Sequence, residues 1–329
     1  MEYLSKSLEA AQNTGKIQGI STSQSSTPIN HLLFADDCLM FFQASDSGLQ
    51  IIKDILEHFG SISGQVINYS KSSTFICGDV TKEVKLEIIH KLGVKKLCSS
   101  EKYLGLPILL GKSKTNSFKS IKEAYGNRIQ GWNSKTLNQA DRTTLVKTVL
   151  NSIPAHYMSN FKIPKNTLQQ LDSLQRNFWW GHIDNKGINF ISWDFLCVSK
   201  EHGGLAFRNL EKYNLALITK LAWRLCTKSD KQWVINMKNK YAPHCNFLHL
   251  QQPHNNSSWM WKGIEKGLEV ERKYYQWEIR CGTKALVRYD KWITGPDGPQ
   301  IPREDYREPA RIVKVSDLIL VIPEGGIHN

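Results

Sequence analysis

The chain has 329 residues, and its 43 Lys and Arg against 30 Asp and Glu give a formal net charge of +13. An apolar share of 40% supports a packed core and excludes a disordered tail, while no apolar run approaches the roughly 20 residues that cross a bilayer. Residues 1–18 are polar and mixed in charge, unlike a signal peptide, so we expect neither a membrane-spanning nor a secreted protein.

The first third of the chain mixes short helices with short β runs. Apolar periodicity predicts helices over residues 3–13, 45–59 and 82–92, the second ending at Gly60 and the third at Gly93. Strand-like runs lie at 66–68 and 74–77, and a further strand or hairpin lies at 103–110.

Two apolar runs flank a pair of adjacent carboxylates near residue 36. His31–Ala35 and Cys38–Phe42 read as two β-strands, which places Asp36 and Asp37 at the tip of a hairpin. Adjacent carboxylates repel each other, and a cation such as Mg²⁺ neutralises that repulsion. Aspartate also favours turns for local reasons, so a metal site and an ordinary turn both remain open.

Helices dominate the following part of the chain. Apolar stripes predict helices over 117–129, 141–153 (ended by Pro154), 167–180 (capped by Asn166), 209–227 and 230–240. Short strands and Gly/Pro turns are expected beyond residue 281. The predicted fold class is therefore α+β.

Positive charge is concentrated between residues 102 and 180, where twelve Lys and Arg face only three acids. Such a window is either a solvated face or a phosphate-binding surface, and the aromatic residues within it favour nucleic acid. Trp179 and Trp180 are expected to pack helices rather than to stack on bases. The candidate nucleic-acid-binding residues are Lys112, Lys114, Lys119, Lys122, Arg128, Lys135, Arg142 and Lys147.

The seven cysteines are widely spaced and odd in number, which favours a reducing, intracellular compartment over a disulfide framework. One weak cluster of zinc-type ligands occurs near the middle of the chain, and an ordinary polar loop is the alternative for it. Its members are His244, Cys245, His249 and His254.

Several motifs occur in a fixed order along the chain, and together they resemble the reverse transcriptases of plant non-LTR (LINE-type) retrotransposons. They are Phe34–Asp37, Ser63–Ser72, Lys102–Ile108, Gly131-Trp132, Ile153–Met158, Phe178–Gly181, His202–Leu210 and Trp223–Leu225. The resemblance implies a partial palm with β-hairpins at 1–112, a helical thumb at 113–182 and a mixed, connection-like region at 183–329.

The same resemblance implies roles for individual residues. Asp36 and Asp37 would be catalytic and hold Mg²⁺, Lys71 would lie near the triphosphate, and Tyr103, Leu104 and Gly105 would form the primer grip. Lys71 also reads as a plain loop lysine, and 103–105 as a plain hairpin. The expected partner is an RNA or DNA template-primer, with no membrane, and the nucleus suits an integrated element, although no Lys/Arg-rich nuclear signal is present.

A third catalytic aspartate of that family lies upstream of the hairpin, and only Glu2 and Glu9 precede Asp36 here. Two carboxylates from one turn do not readily hold two Mg²⁺ ions about 4 Å apart, unless Asp46, Asp54 or Glu57 reaches the tip. We therefore expect a truncated RNA-directed DNA polymerase, inactive alone but retaining sequence-independent nucleic-acid binding. The alternative is a non-catalytic retroelement remnant with no selected activity.

Overall fold

A computed structural model describes residues 1–23, 26–98, 101–132, 136–182, 187–243, 246–250, 257–296, 298–302 and 313–319. Within these ranges the chain is α+β, which confirms the predicted fold class. None of the helices found there combines the length and the apolar character that a membrane crossing requires.

Helices account for most of the regular structure. In chain order they are α1 Glu2–Asn13, α2 Asp46–Ser63, α3 Lys82–Leu92, α4 Lys114–Ser117, α5 Lys119–Gln130, α6 Gln139–Leu145, α7 Ala155–Met158, α8 Lys165–Trp180, α9 Trp193–Leu196, α10 Leu210–Thr227, α11 Gln232–Tyr241 and α12 Trp259–Tyr274.

The strands of the described ranges form four separate two-stranded sheets, of which one is parallel and three are antiparallel hairpins. The strands are β1 His31–Phe34, β2 Asp37–Met40, β3 Ser73–Thr74, β4 Lys95–Lys96, β5 Lys102–Tyr103, β6 Leu106–Pro107, β7 Ile293–Gly295 and β8 Gly298–Gln300. Each sheet pairs two strands that follow each other in the chain, and the parallel sheet is the one formed by β3 and β4.

The chain divides into two compact units. The first unit comprises Met1–Tyr157, Ile163–Glu211 and Ser229–Pro243, and the second comprises Met158–Lys162, Lys212–Lys228 and His244–Asn329. The division into palm, thumb and connection region stays a prediction. Every catalytic, primer-grip and nucleic-acid-binding candidate of the sequence belongs to the first unit, whereas the weak zinc cluster belongs to the second.

In the first unit, α1 and α2 pack against each other and support the β1–β2 hairpin. Leu8 and Ile52 are almost fully buried at this contact, and Leu33 and Met40 of the hairpin pack on the same cluster. Full burial of one such side chain contributes about 1.5–3 kcal/mol, so this cluster fixes which face of the hairpin points inward.

The end of α2 corrects the sequence prediction, which placed it at Gly60. The helix continues to Ser63 and ends at Gly64, whose φ of +70° is the left-handed conformation that glycine adopts without a Cβ penalty. Gly60 lies inside the helix, and Ile62 beyond it is exposed, so the apolar stripe stops before the helix does. The predicted end of α3 at Gly93 is confirmed.

Two further local predictions are wrong. No strand forms at residues 66–68 within the described chain, and Val66 is 94% exposed, because no neighbouring strand lies beside that segment to pair with it. Asn166 does not cap α8, which begins one residue earlier, after Pro164. Proline suits a helix start because its fixed φ is preorganised and its missing N–H needs no partner there.

The helical part of the first unit is built around α5 and α8. Phe118, Tyr125 and Leu168 are fully buried there. The helix predicted at 141–153 changes character after α6, where residues 146–150 form a π-helical turn closed by a 3.0 Å bond from the Asn151 N–H to the Val146 carbonyl. π-helical turns are rare and recur near functional sites.

The second unit contains α12, which was not predicted from the sequence. Its buried face includes Trp261, Ile264 and Leu268. Gly267 lies so close to the chain that an added Cβ would sit 2.8 Å from the Ile218 carbonyl oxygen. The absence of a side chain at this position therefore lets two segments of the unit approach closely.

A buried carboxylate organises the C-terminal part of the second unit. Asp290, 2% exposed, accepts a 2.8 Å bond from the Leu286 N–H and lies 3.0 Å from the His249 ring nitrogen. Burial alone raises the pKa of Asp290, but the bonds with His249 and Leu286 outweigh it and lower that pKa. His244, Cys245 and His254, the other members of the weak zinc cluster, lie outside the described residues.

Candidate catalytic hairpin and nucleic-acid interface

The predicted acid pair lies at the tip of a tight antiparallel hairpin. β1 and β2 pair in the register Phe34 with Asp37 and Leu33 with Cys38, which leaves only Ala35 and Asp36 in the turn. Asp36 and Asp37 are both exposed. Ala35 has a φ of +51°, a conformation that costs a non-glycine residue about 1–2 kcal/mol.

Successive side chains along each strand of this hairpin point to opposite faces of the sheet. Leu33 points to the packed side, whereas Leu32 and Phe34 are 47% and 60% exposed on the opposite face, which also carries Asp37. The outward face therefore combines an apolar surface with a carboxylate at its end. Exposed large apolar residues on a two-stranded hairpin are typical of a surface that contacts another molecule.

The residues predicted as the primer grip form a second tight hairpin. β5 and β6 pair Tyr103 with Leu106, and the turn residues Leu104 and Gly105 have φ of +50° and +80°. Positive φ at both central positions is the signature of a type I′ turn, for which glycine is well suited and leucine is not. The His156 ring lies 2.9 Å from the Leu104 carbonyl oxygen and fixes this turn.

One electrostatic interaction joins the two hairpins, although Asp37 and Tyr103 are 66 positions apart in the sequence. Burial raises the pKa of the Tyr103 phenol, and the nearby negative charge of Asp37 raises it further. Tyr103 thus lies within electrostatic reach of the acid-bearing strand. The neighbouring Lys102 ammonium lies 5.7 Å from the centre of the Tyr157 ring.

Lys71 lies in an exposed turn after α2. Its backbone N–H donates a 3.1 Å bond to the Asn68 side-chain oxygen, and the Ser70 hydroxyl donates to the same oxygen at 2.7 Å. Within the described ranges no ion pair joins Lys71 to Asp36 or Asp37. The structure therefore places the lysine on a surface turn and does not bring its charge onto the acid pair.

Of the three acids named as replacement ligands, Asp46 and Asp54 have partners elsewhere and Glu57 is exposed on α2. The Asp46 carboxylate lies 2.9 Å from the Lys91 ammonium, and Asp54 accepts a 2.8 Å bond from Gln50. Across the described part of the chain, no three His, Cys, Asp or Glu side chains cluster closely enough to hold a metal ion. The pair at the tip suits one Mg²⁺ ion, since that ion is commonly held by one or two carboxylates with water and phosphate in its other positions.

The candidate cationic residues divide into two groups. Lys112, Lys119, Lys122 and Arg128 are exposed, with Lys119 paired to Glu123 at 3.3 Å. Lys135 lies outside the described residues.

The remaining three cations contact the protein itself. Lys114 donates to the Gly111 carbonyl at 2.6 Å. Arg142 reaches the Trp179 carbonyl, near the end of α8 where the helix dipole favours a cation. Lys147 lies 5.5 Å from the centre of the Phe207 ring, and burial followed by the charge of Lys200 lowers its pKa.

At the end of α8, Trp179 packs against α6, as predicted, whereas Trp180 is only half-buried. Trp179 is 5% exposed, and its indole N–H donates a 2.9 Å bond to the Thr143 hydroxyl. Sequence reasoning missed a polar groove of about 550 Å³ beside the outer face of α8, which Gln169, Gln170 and Asn177 help to line. The sequence feature that marks this groove is a row of polar residues without Asp or Glu, spaced so that they fall on one face of the helix.

Comparison with known proteins gives two informative relatives. The "Putative ribonuclease H protein At1g65750" of Arabidopsis thaliana is 33% identical over 195 residues, which cover 58% of this chain and 31% of that protein. The "Uncharacterized mitochondrial protein AtMg00310" of Arabidopsis thaliana is 31% identical over 144 residues, which cover 43% of this chain and 93% of that protein. No family model matches the chain.

The chain therefore spans about a third of the first relative and nearly the whole of the second. Both relatives are plant proteins, and they support the prediction of a plant retroelement-derived chain. The assignment to a reverse transcriptase stays a prediction.

Proposed function

The chain belongs to the family of the Arabidopsis mitochondrial protein AtMg00310, and from that premise we propose that it is a retroelement-derived reverse-transcriptase chain that binds nucleic acid. One observation carries the proposal. The hairpin with Asp36 and Asp37 at its tip lies within electrostatic reach of a second hairpin, because the charge of Asp37 raises the pKa of the Tyr103 phenol. A carboxylate-tipped strand next to a strained turn is a suitable arrangement for placing a nucleic-acid end near a metal ion.

The proposed metal is Mg²⁺, held by Asp36 and Asp37. When bound, Mg²⁺ neutralises phosphate charge and orients oxygen ligands. The two exposed carboxylates supply ligands for one ion, and the described residues offer no third carboxylate at the tip for a second ion. We therefore propose that residues 1–329 alone do not polymerise nucleotides, because the electrostatic stabilisation of a two-ion site is missing.

A count of bound Mn²⁺, used as a paramagnetic substitute for Mg²⁺, tests this part of the proposal. The native chain should bind one ion at the tip, and the Asp36→Asn variant should lose it. Asp54→Asn is the matched control, since it removes one carboxylate on α2 that already has a hydrogen-bond partner. Two tightly bound ions that both depend on Asp36 would contradict the proposal.

The proposed partner is an RNA or DNA template-primer, bound through its phosphates. Lys112, Lys122 and Arg128 are exposed in the first unit, and the chain as a whole carries a net charge of +13. One relative carries ribonuclease H in its name, which adds support for nucleic acid as the partner. Phosphate contacts release counterions, so affinity should fall as salt rises.

Filter binding over a series of salt concentrations tests the partner. Affinity for a mixed-sequence duplex should fall linearly on a log–log plot, and Arg128→Ala should make that slope shallower by about 1. Lys6→Ala is the matched control, because Lys6 is an exposed cation on α1 that already pairs with Glu2. Binding that is insensitive to salt would contradict the proposal.

A non-catalytic remnant without selected activity is the second candidate. The observation that favours it is the outward face of the β1–β2 hairpin, where Leu32 and Phe34 remain exposed on a sheet of only two strands. Isolated hairpins are marginally stable and prone to edge association. A thermal melt followed by circular dichroism distinguishes the two, because a cooperative transition supports a maintained domain and a gradual one supports the remnant.

We also propose an intracellular, reducing compartment. Cys38, Cys77, Cys226 and Cys281 are thiols rather than disulfide partners. Burial raises the pKa of Cys38 to about 11 and that of Cys226 to about 12, which keeps both protonated and unreactive. Thiols of this kind suit a compartment in which disulfides are kept reduced.

A further inference from the structure

The outer face of α8 borders a groove that carries hydrogen-bonding groups and cations. Gln169, Gln170 and Asn177 line it with carboxamides, and Lys122 of α5 and Arg176 of α8 supply positive charge. No carboxylate is among its lining residues in the described part of the chain, and its volume is about 550 Å³. We call this feature the α8 groove.

Aromatic rings adjoin the α8 groove at His182, and Phe190 is the exposed one among them. Phe190 is 82% exposed, and its ring centre lies 5.8 Å from that of Trp180. The Trp180 and His182 rings are nearly parallel, at 9° and 6.4 Å. His182, which lines the groove, is held by a 2.9 Å bond to the Asn189 side-chain oxygen. We call Trp180, His182 and Phe190 the aromatic platform.

Phe190 lies between Ile188 and Ile191, which are also exposed, and exposed apolar residues that occur together mark a surface that contacts another molecule. The charge of the adjoining groove indicates which kind of molecule that is, because Lys122 and Arg176 favour an anionic partner and no described acid of the groove opposes it. Single-stranded nucleic acid combines anionic phosphates with flat bases that stack on aromatic rings. Carboxamides add donors and acceptors for base edges and sugar hydroxyls.

We propose that the α8 groove and the aromatic platform bind a single strand of RNA or DNA, with one base stacked on Phe190 and the phosphates beside Lys122 and Arg176. This inference rests on the proposed function, since it names the form of nucleic acid that one surface of the first unit takes. A duplex keeps its bases stacked inside the helix and cannot place one on Phe190. The platform therefore selects single strands over duplexes.

Fluorescence anisotropy with a labelled single strand of about 15 nucleotides, a length that spans a typical single-strand site, tests the inference. Phe190→Ala should weaken binding roughly tenfold, because a base stacked on an aromatic ring contributes about 1–3 kcal/mol. Its log–log salt slope should stay unchanged, whereas Lys122→Ala should lower that slope by about 1. Phe75→Ala is the matched control, since Phe75 is 57% exposed in the same unit but, unlike Phe190, is not next to a residue that lines the groove.

The outcomes separate this inference from the proposed function. Phe190→Ala binding as tightly as Phe75→Ala would overturn the aromatic platform and leave salt-dependent nucleic-acid binding intact. A duplex that competes as well as the single strand would likewise overturn the single-strand inference alone. If the native chain bound neither form at any salt concentration, the proposed function itself would be wrong, and this inference with it.

Discussion

Replacing Asp172 by asparagine should stabilise the protein at neutral pH. Asp172 lies on α8 and accepts a 2.7 Å bond from the Gln175 amide and another from the Leu210 N–H. Burial is the main cause that raises the pKa of its carboxyl from an ordinary 3.8 to about 6, and the charge of Asp194 adds to it. At pH 7 the folded protein therefore holds a carboxylate whose charge its surroundings disfavour.

The magnitude follows from proton linkage. Between about pH 4 and 6 the folded state binds a proton that the unfolded chain has released, so stability falls as pH rises through this window. A rise in pKa of about two units corresponds to roughly 3 kcal/mol. Asparagine keeps the acceptor oxygen but adds an N–H₂ group that must find partners, so we expect a gain of about 1–3 kcal/mol at pH 7.

Urea unfolding at pH 4 and pH 7, followed by tryptophan emission, measures the effect. The native chain should lose stability between these pH values, and Asp172→Asn should lose less. Asp79→Asn is the matched control, since it removes the same charge from an exposed position of the first unit that takes no part in raising the pKa of Asp172. An Asp172→Asn variant that is no more stable than the native chain at pH 7, with the same pH dependence, would refute the reasoning.

Two further predictions concern backbone geometry and are measured by the same unfolding assay. Leu104→Gly should stabilise the chain by about 1 kcal/mol, because the φ of +50° at this position strains a residue with a Cβ and the 39% exposed side chain contributes little packing. A variant that is equally or less stable than the native chain would contradict this prediction. Gly267→Ala should destabilise by about 1–3 kcal/mol, because the added Cβ meets the Ile218 carbonyl oxygen at 2.8 Å. Gly126→Ala is the control, because a Cβ added at this position in the middle of α5 meets no heavy atom within 4 Å. This variant should instead be more stable by about 0.5–1 kcal/mol, so a change of the same sign in both glycine variants would contradict the reasoning.

Local signals predicted much of the first unit. The two short apolar runs on either side of Asp36 and Asp37 predicted a hairpin with the acids at its tip, because strands joined by a tight turn are a property of adjacent residues. The register was not predicted, and the observed turn is Ala35 and Asp36, with Asp37 already paired in β2. The end of α3 at Gly93 was also predictable from adjacent residues. The stop at Gly60 was wrong, since the pattern cannot tell a helical glycine from the left-handed one at Gly64.

Features that depend on distant residues were not predictable in this way. The electrostatic interaction of Tyr103 with Asp37 joins two hairpins that are distant in sequence. The raised pKa of Asp172 depends on how deeply α8 packs, which its spacing does not reveal. The α8 groove was missed because a polar stripe on a helix is usually an ordinary solvated face, and only the surrounding cations and the exposed Phe190 distinguish it.

Primer extension by residues 1–329 tests the central claim most directly, because it asks whether the acid-tipped hairpin supports catalysis by itself. With a primed RNA template, nucleotides and either Mg²⁺ or Mn²⁺, the native chain and Asp36→Ala should bind the template-primer and extend it equally little. Metal-dependent extension by the native chain that disappears in Asp36→Ala would contradict the claim that two carboxylates at this tip are too few for polymerisation.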